Sequence, residues 1–198
     1  MKIVLVGASG TIGKEVAKLL KARHTVIAVG KTQGDYTVDI RDENQITQMF
    51  EKIGSFDALV CTAGKVHFAP LGSMTSANYH IGLHDKLMGQ VNLVLIGKKF
   101  MDPKGSFTLT SGILGHDPII SASSASMVNG AIESFVKAAA IELGQMRINA
   151  VSPTILTESV PFFGGLFAGF EPIPGARAAL AYLKSVEGHQ TGQVYRVT

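Results

Sequence analysis

The stretch Lys2-Ile3-Val4-Leu5-Val6-Gly7-Ala8-Ser9-Gly10-Thr11-Ile12-Gly13 decides the fold. A short β-branched run enters a glycine-spaced turn, and Ile12, Val16, Leu19 and Leu20 then repeat at helical spacing. Strand, glycine turn and helix in this order make a dinucleotide-binding unit. Its glycines let the backbone approach a pyrophosphate closely, and the free amides of the helix N-terminus receive the negative charge. Glycine spacing alone also fits a plain structural turn; the strand before it and the helix after it favour nucleotide binding.

The rest of the chain repeats the alternation. Thr25 to Val29 reads as a second strand ended by Gly30, and Val38 and Ile40 flank Asp39 in a short third strand. A helix starts near Asp42, with Gln45 as its capping partner and Ile46, Met49, Phe50 and Ile53 on one face, and Gly54 stops it. Asp57 to Cys61 is the fourth strand, and a long helix runs from about Ser76 to Phe100. Phe107 to Thr110, Ile148 to Val151 and Val194 to Val197 read as strands, with helices at about Ser123 to Gly144 and Ala176 to Val186. About seven parallel strands with helices on both faces follow, a Rossmann-type doubly wound α/β fold in a single domain, residues 1–198.

Composition agrees with one soluble domain: 198 residues, 46% hydrophobic, with 22 glycines. The net charge is +3, and the basic residues are scattered, with only pairs such as Lys98-Lys99, so nucleic acid is not an expected partner. No run reaches the ~18 apolar residues of a membrane helix. The single cysteine, Cys61, excludes an intrachain disulfide framework, and a cytoplasmic location is expected. No metal site is expected.

Six landmarks resemble the short-chain dehydrogenase/reductase family across nearly the whole chain. They are the Gly7 to Gly13 loop, Asp39-Ile40 at the adenine position and Leu59-Val60-Cys61-Thr62-Ala63-Gly64. Thr110-Ser111-Gly112-Ile113-Leu114-Gly115, Arg147 to Pro153 and Thr191-Gly192-Gln193-Val194 follow in the family's order. The resemblance implies cofactor contacts at Gly7, Ser9, Gly10, Thr11, Ile12, Gly13, Asp39, Ile40, Ala63, Gly64, Pro153 and Thr154. The glycine loop departs from the commonest form. Thr11 replaces the middle glycine and Gly10 lies one place earlier, a spacing also seen in NADP-binding sensor proteins of the wider superfamily.

Cofactor choice is set just after the second strand, where a carboxylate selects NAD and a cation accommodates the 2′-phosphate of NADP. Gly30 removes the carboxylate and Lys31 follows, so NADP(H) is favoured over NAD(H). The alternative for Lys31 is an ordinary surface lysine.

The family's catalytic positions are all substituted. The pattern Gly130 to Lys137 aligns the tyrosine position with Ala125 and the lysine position with Asn129. The serine position falls on Gly112, and the helix asparagine on Lys86. Ala125 has no proton to give and Asn129 carries no charge, although Asn129 can still contact a ribose hydroxyl. Two candidates remain: Lys86, which returns a positive charge from the neighbouring helix, and Ser111, one residue from the serine position. Lys86 also reads as a lysine snorkelling out of the helix interface, and Ser111 as facing away from the site. Ser123 and Ser124 read as helix N-caps, and His116 as a solvated loop residue.

Residues 154–174 carry Phe162, Phe163, Leu166, Phe167 and Phe170, a short substrate lid or a subunit contact. Two functions follow: an NADP-dependent oxidoreductase on a small carbonyl-type substrate with a non-standard acid, or a silent NADP(H)-binding sensor or regulator. The family's pairing of long helices implies a homodimer or homotetramer, through Leu83, Leu87, Val91, Val94, Leu95, Ile132, Phe135 and Val136.

Overall fold

The computed structural model describes all of residues 1–198. Strands β1 (Lys2–Val6), β2 (Thr25–Gly30), β3 (Tyr36–Thr37), β4 (Phe56–Cys61), β5 (Met101–Thr110), β6 (Arg147–Pro153) and β7 (Val194–Val197) form one sheet. Its order is β3-β2-β1-β4-β5-β6-β7 and every pair is parallel. The order reverses between β1 and β4, and ligands of open parallel sheets bind at the strand ends beside such a reversal.

Both faces are covered, so the inner strands read as continuous apolar runs. One face packs Val16 and Leu20 of α1 (Thr11–Lys21) with Ala179, Tyr182 and Val186 of α7 (Gly175–Glu187) against Ile3, Leu5, Ala58 and Val60. The other packs α2 (Glu43–Ile53), α4 (Gly89–Gly97) and α5 (Ser123–Glu142) over Val4, Val6, Leu59, Phe107 and Leu109. Each such side chain contributes about 1.5–3 kcal/mol by leaving water.

Two strands differ most from expectation. The third strand is Tyr36–Thr37, not Val38–Ile40, because β2 ends at Gly30, opposite Thr37. Val38 N still donates to Gly30 O at 2.9 Å, and both Val38 and Ile40 are buried in the core. The fifth strand begins at Met101. A register shift between the Phe56–Met101 and Ala58–Ser106 pairs absorbs the extra residues.

The long helix expected from Ser76 to Phe100 is broken into α3 (Ser76–Gly82), a π-helical stretch at Leu83–Met88, and α4, which ends at Gly97. Thr75 caps α3 through a capping box with Asn78. Single π turns inside helices change the facing of the residues they carry, and this one carries Lys86. Residues 154–174 are not a plain loop. They contain turns at Thr157–Ser159 and Gly164–Leu166 around α6 (Val160–Phe163), pinned by a parallel bridge between Leu156 and Ile173.

Candidate active site

The glycine turn supplies the first part of the site. Gly7 has φ +86°, and its amide donates to Val29 O at 2.8 Å. A Cβ at Gly13 would run into the Gly7 carbonyl oxygen, so only glycine lets α1 pack this closely on the turn. The first intrahelical bond is Lys14 N to Gly10 O, and Gly10 provides no side-chain cap. The amides of Thr11, Ile12 and Gly13 therefore point out of the helix start without an acceptor in the chain, the arrangement that holds a phosphate.

Beside this turn lies a cleft of about 490 Å³ lined by Gly7, Ser9, Gly10, Gly30, Lys31, Asp39, Ile40, Ala63, Gly64 and Lys65, among others. Asp39 is held between two cations, by Lys31 Nζ at 3.0 Å and by the Arg41 guanidinium. The Arg41 guanidinium in particular holds the Asp39 carboxyl well below the usual carboxylate range. These three side chains carry one net positive charge between them, with Asp42, Lys65 and Asp85 at the same edge. Arg41 is a residue that sequence reading misses. Its only signal is its place two residues after Asp39.

A second cavity, of about 300 Å³, adjoins the first through Thr62, Ala63 and Gly64. Ile12, Lys86, Ser111, Gly112, Ala125, Asn129, Pro153 and Thr154 line it, with Val66, Phe68, Ile113, Phe163 and Phe167 as apolar wall. Thr11 and Gly13 line neither space, and Thr11 is exposed at the helix start. Phe163 packs on Phe68 with the rings tilted by 39° and their centroids 5.6 Å apart, whereas Phe162 is 82% exposed.

Lys86 and Asn129 meet at the inner end of this cavity. Lys86 Nζ donates to Asn129 Oδ1 at 2.7 Å and to Ser111 O at 2.8 Å. Burial pulls the Lys86 ammonium down to about 8, and the nearby Cys61 only partly opposes this. The helix carrying Lys86 is tied to β5 by Gln90, whose amide donates to Thr110 O at 2.9 Å and accepts from Thr110 N at 2.8 Å. Sequence reading misses Gln90, which copies a strand's hydrogen-bonding pattern from a helix.

Ser111 lines the cavity, yet its hydroxyl donates to Glu133 Oε1 at 2.9 Å, a buried carboxylate one turn after Asn129 on α5. Gly112 has φ +153°, and a Cβ there would stand 3.0 Å from Asn129 Nδ2, so the absent side chain leaves the amide open. Ser123 and Ser124 are not N-caps. The capping position is Ala122, which offers no side-chain acceptor. Ser123 Oγ instead meets Tyr79 Oη at 2.9 Å, and Ser124 Oγ is buried without a partner. His116 is exposed, as a loop residue should be.

No tyrosine lines the cavity. Tyr182 is fully buried, its hydroxyl donates to Thr110 Oγ1 at 2.6 Å, and burial drives its ionisation above the ordinary range. Burial also pushes the Cys61 thiol up to about 12, so it is a packing residue rather than a nucleophile. No three His, Cys, Asp or Glu side chains are grouped to hold a metal ion, and no helix is long and apolar enough to cross a membrane.

Residues 2–172 match the family profile described as Enoyl-(Acyl carrier protein) reductase. A Short-chain dehydrogenase/reductase ATR9 from Stachybotrys chlorohalonatus is 28% identical over 156 residues; the match covers 74% of this chain and 61% of that relative. Among solved structures, the protein lin1944 from Listeria innocua is 46% identical over the whole of both chains, with a TM-score of 0.98. A small-chain dehydrogenase solved in complex with NADPH is 27% identical, with a TM-score of 0.90, covering 100% of this chain and 96% of that one. The sheet order, the glycine turn and these matches agree, and the chain belongs to the short-chain dehydrogenase/reductase family, whose members are oxidoreductases that bind a nicotinamide cofactor.

Proposed function

We propose that the protein is an NADP(H)-dependent oxidoreductase acting on a small carbonyl compound, with Lys86 in the role of proton donor. The observation that carries this reading is the Lys86 ammonium, which lies in the apolar cavity between Ser111 O and Asn129 Oδ1. An acid is most useful when its pKa lies near the working pH, and burial brings Lys86 to about 8. The cofactor, when bound, supplies the hydride. Lys86 Nζ supplies the proton to the carbonyl oxygen, help worth roughly 10²–10⁴ in rate. Phe163 and Phe167, from residues 154–174, add apolar wall on one side of the cavity.

NADP(H) is preferred because Gly30 offers no carboxylate at the end of β2. The Lys31–Asp39–Arg41 cluster there carries net positive charge suited to a 2′-phosphate. The 27%-identical relative holding NADPH supports the same choice. Homodimers or homotetramers are supported by Met88, Leu95 and Met127, 41–45% exposed on the helices of one face. Val94, Ile132 and Val136, expected to contribute to that surface, cover the sheet instead.

A second reading, a silent NADP(H)-binding sensor or regulator, is favoured by the buried Ala125 and the absence of any tyrosine from the cavity. Titration with NADPH and NADH, followed by NADPH consumption against carbonyl, imine and enone compounds, separates the two. Consumption that is lost in Lys86→Met supports the enzyme. Tight NADPH binding without consumption of any compound supports the sensor.

A further inference from the structure

The inner end of the cavity holds two hydrogen-bond donors and no acid to meet them. The Lys86 ammonium has three N–H groups, and two are taken by the neutral oxygens of Ser111 and Asn129. None of the chain's ion pairs includes Lys86. Asn129 is 3% exposed, and because its Oδ1 accepts from Lys86 its Nδ2 is left with no partner in the chain. The missing Gly112 side chain opens the space over that Nδ2. The nearby carboxylates are occupied: Glu133 accepts from Ser111 Oγ and Asp85 accepts from Lys65 N at 2.8 Å. Lys86 is half-buried on the cavity wall, where a cation drawn away from water without a counter-ion is costly, and a ligand carrying the counter-charge offsets that cost.

Resting on the reading above, we propose that the substrates are short oxo-monocarboxylates, with the carboxylate held by Asn129 Nδ2 and the free N–H of Lys86. The cavity, about 300 Å³, lies at the lower limit of ligand pockets and also has to admit the nicotinamide along Ile12, Ala63, Gly64, Pro153 and Thr154, which restricts the acid to a short apolar tail facing Ile113, Phe163 and Phe167. In a 2-oxo acid the keto oxygen lies beside one carboxylate oxygen, so one ammonium serves both. In the reaction, hydride from the reduced nicotinamide forms a C–H bond at the keto carbon, and the C=O π pair moves to oxygen. That oxygen takes a proton from Lys86 Nζ. The keto acid is reduced to a hydroxy acid, the nicotinamide is oxidised, and the neutral amine regains its proton from solvent.

The test is calorimetric titration of butyrate, 2-oxobutyrate and the neutral butyramide into the NADP⁺-saturated protein and into the protein alone. We expect both acids to bind, and butyramide to bind roughly tenfold or more weakly. Lys86→Gln should abolish the preference for the acids. Asn129→Asp keeps an acceptor for Lys86, and so the local fold, but places a carboxylate where the anion sits; it should lose the acids while circular dichroism stays unchanged. Equal binding of butyrate and butyramide, or unchanged acid affinity in Asn129→Asp, overturns the proposal. Acids that bind without any NADPH consumption contradict the oxidoreductase reading and leave the anion site standing. Consumption with neutral aldehydes but no binding of acids overturns the anion site alone.

Discussion

Lys86 Nζ lies 2.7 Å from Asn129 Oδ1, so a cation and a side-chain amide are joined across the interface of two helices. The family places an asparagine on the first long helix and a lysine on the second. Here the lysine is on the first, within the π turn, and the asparagine on the second. On the alignment that the resemblance implies, we propose that the pair is an exchange that keeps one cation and one amide across the helix interface.

An exchange implies coupling. Lys86→Asn alone removes the cation, and Asn129→Lys alone sets two ammonium groups at hydrogen-bonding distance. The double variant restores one of each. The double-mutant cycle in urea should show a coupling of about 1–3 kcal/mol, with Asn129→Lys the least stable variant. Additive effects would mean that the two side chains do not act as a pair.

Gly13→Ala drives a methyl group into the Gly7 carbonyl oxygen and so pushes α1 off the turn. The expected cost is about 1–3 kcal/mol of stability, measured by urea unfolding. NADPH affinity should also fall, because the helix-start amides move away from the pyrophosphate. Gly10→Ala is the control: its nearest neighbour stands 3.4 Å from an added Cβ.

Lys31→Glu sets a second carboxylate beside Asp39 at the edge of the nucleotide cleft. NADPH binding should weaken roughly tenfold more than NADH binding, since only NADPH carries the 2′-phosphate. Equal weakening of both, read from fluorescence titrations, would remove the basis for the NADP(H) preference.

The folded pKa of Lys86, about 8, is below that of the unfolded chain, about 10.4. Below pH ~8 both states hold the proton and the burial penalty is fully present. Between ~8 and ~10.4 the unfolded state binds more protons, so this group's contribution to stability rises with pH. The stability of the wild-type chain relative to Lys86→Met should therefore rise between pH ~7 and ~10. A pH-independent difference would show that Lys86 is not desolvated. Asp39 gives a slope of the same sign at low pH, because its folded pKa is also below the unfolded one. Its contribution is present above ~3.9 and is lost as the carboxyl protonates below that.

The parts legible in the sequence are those encoded locally. Glycine spacing at Gly7 and Gly13, apolar period in α1 and α2, and the Asp42–Gln45 cap each depend on residues a few places apart, and the structure carries all of them. Contacts made across the fold leave no such trace. Tyr79 reaches Ser123, and Ser111 turns its hydroxyl to Glu133, only because the sheet and helices bring them together. Val38 and Ile40 show the converse. Their alternation is that of a strand, but the neighbouring strand ends at Gly30, whose carbonyl takes a last bond from Val38 N.

The decisive measurement is single-turnover NADPH oxidation with 2-oxobutyrate across pH ~6 to ~10, for the wild-type chain and for Lys86→Met. The wild type should hold its rate below an apparent pKa near 8 and slow above it as the ammonium loses its proton. Lys86→Met should bind NADPH normally, run roughly 10²-fold or more slower, and lose the pH dependence. A Lys86→Met variant that matches the wild-type rate and profile would contradict the role assigned to Lys86.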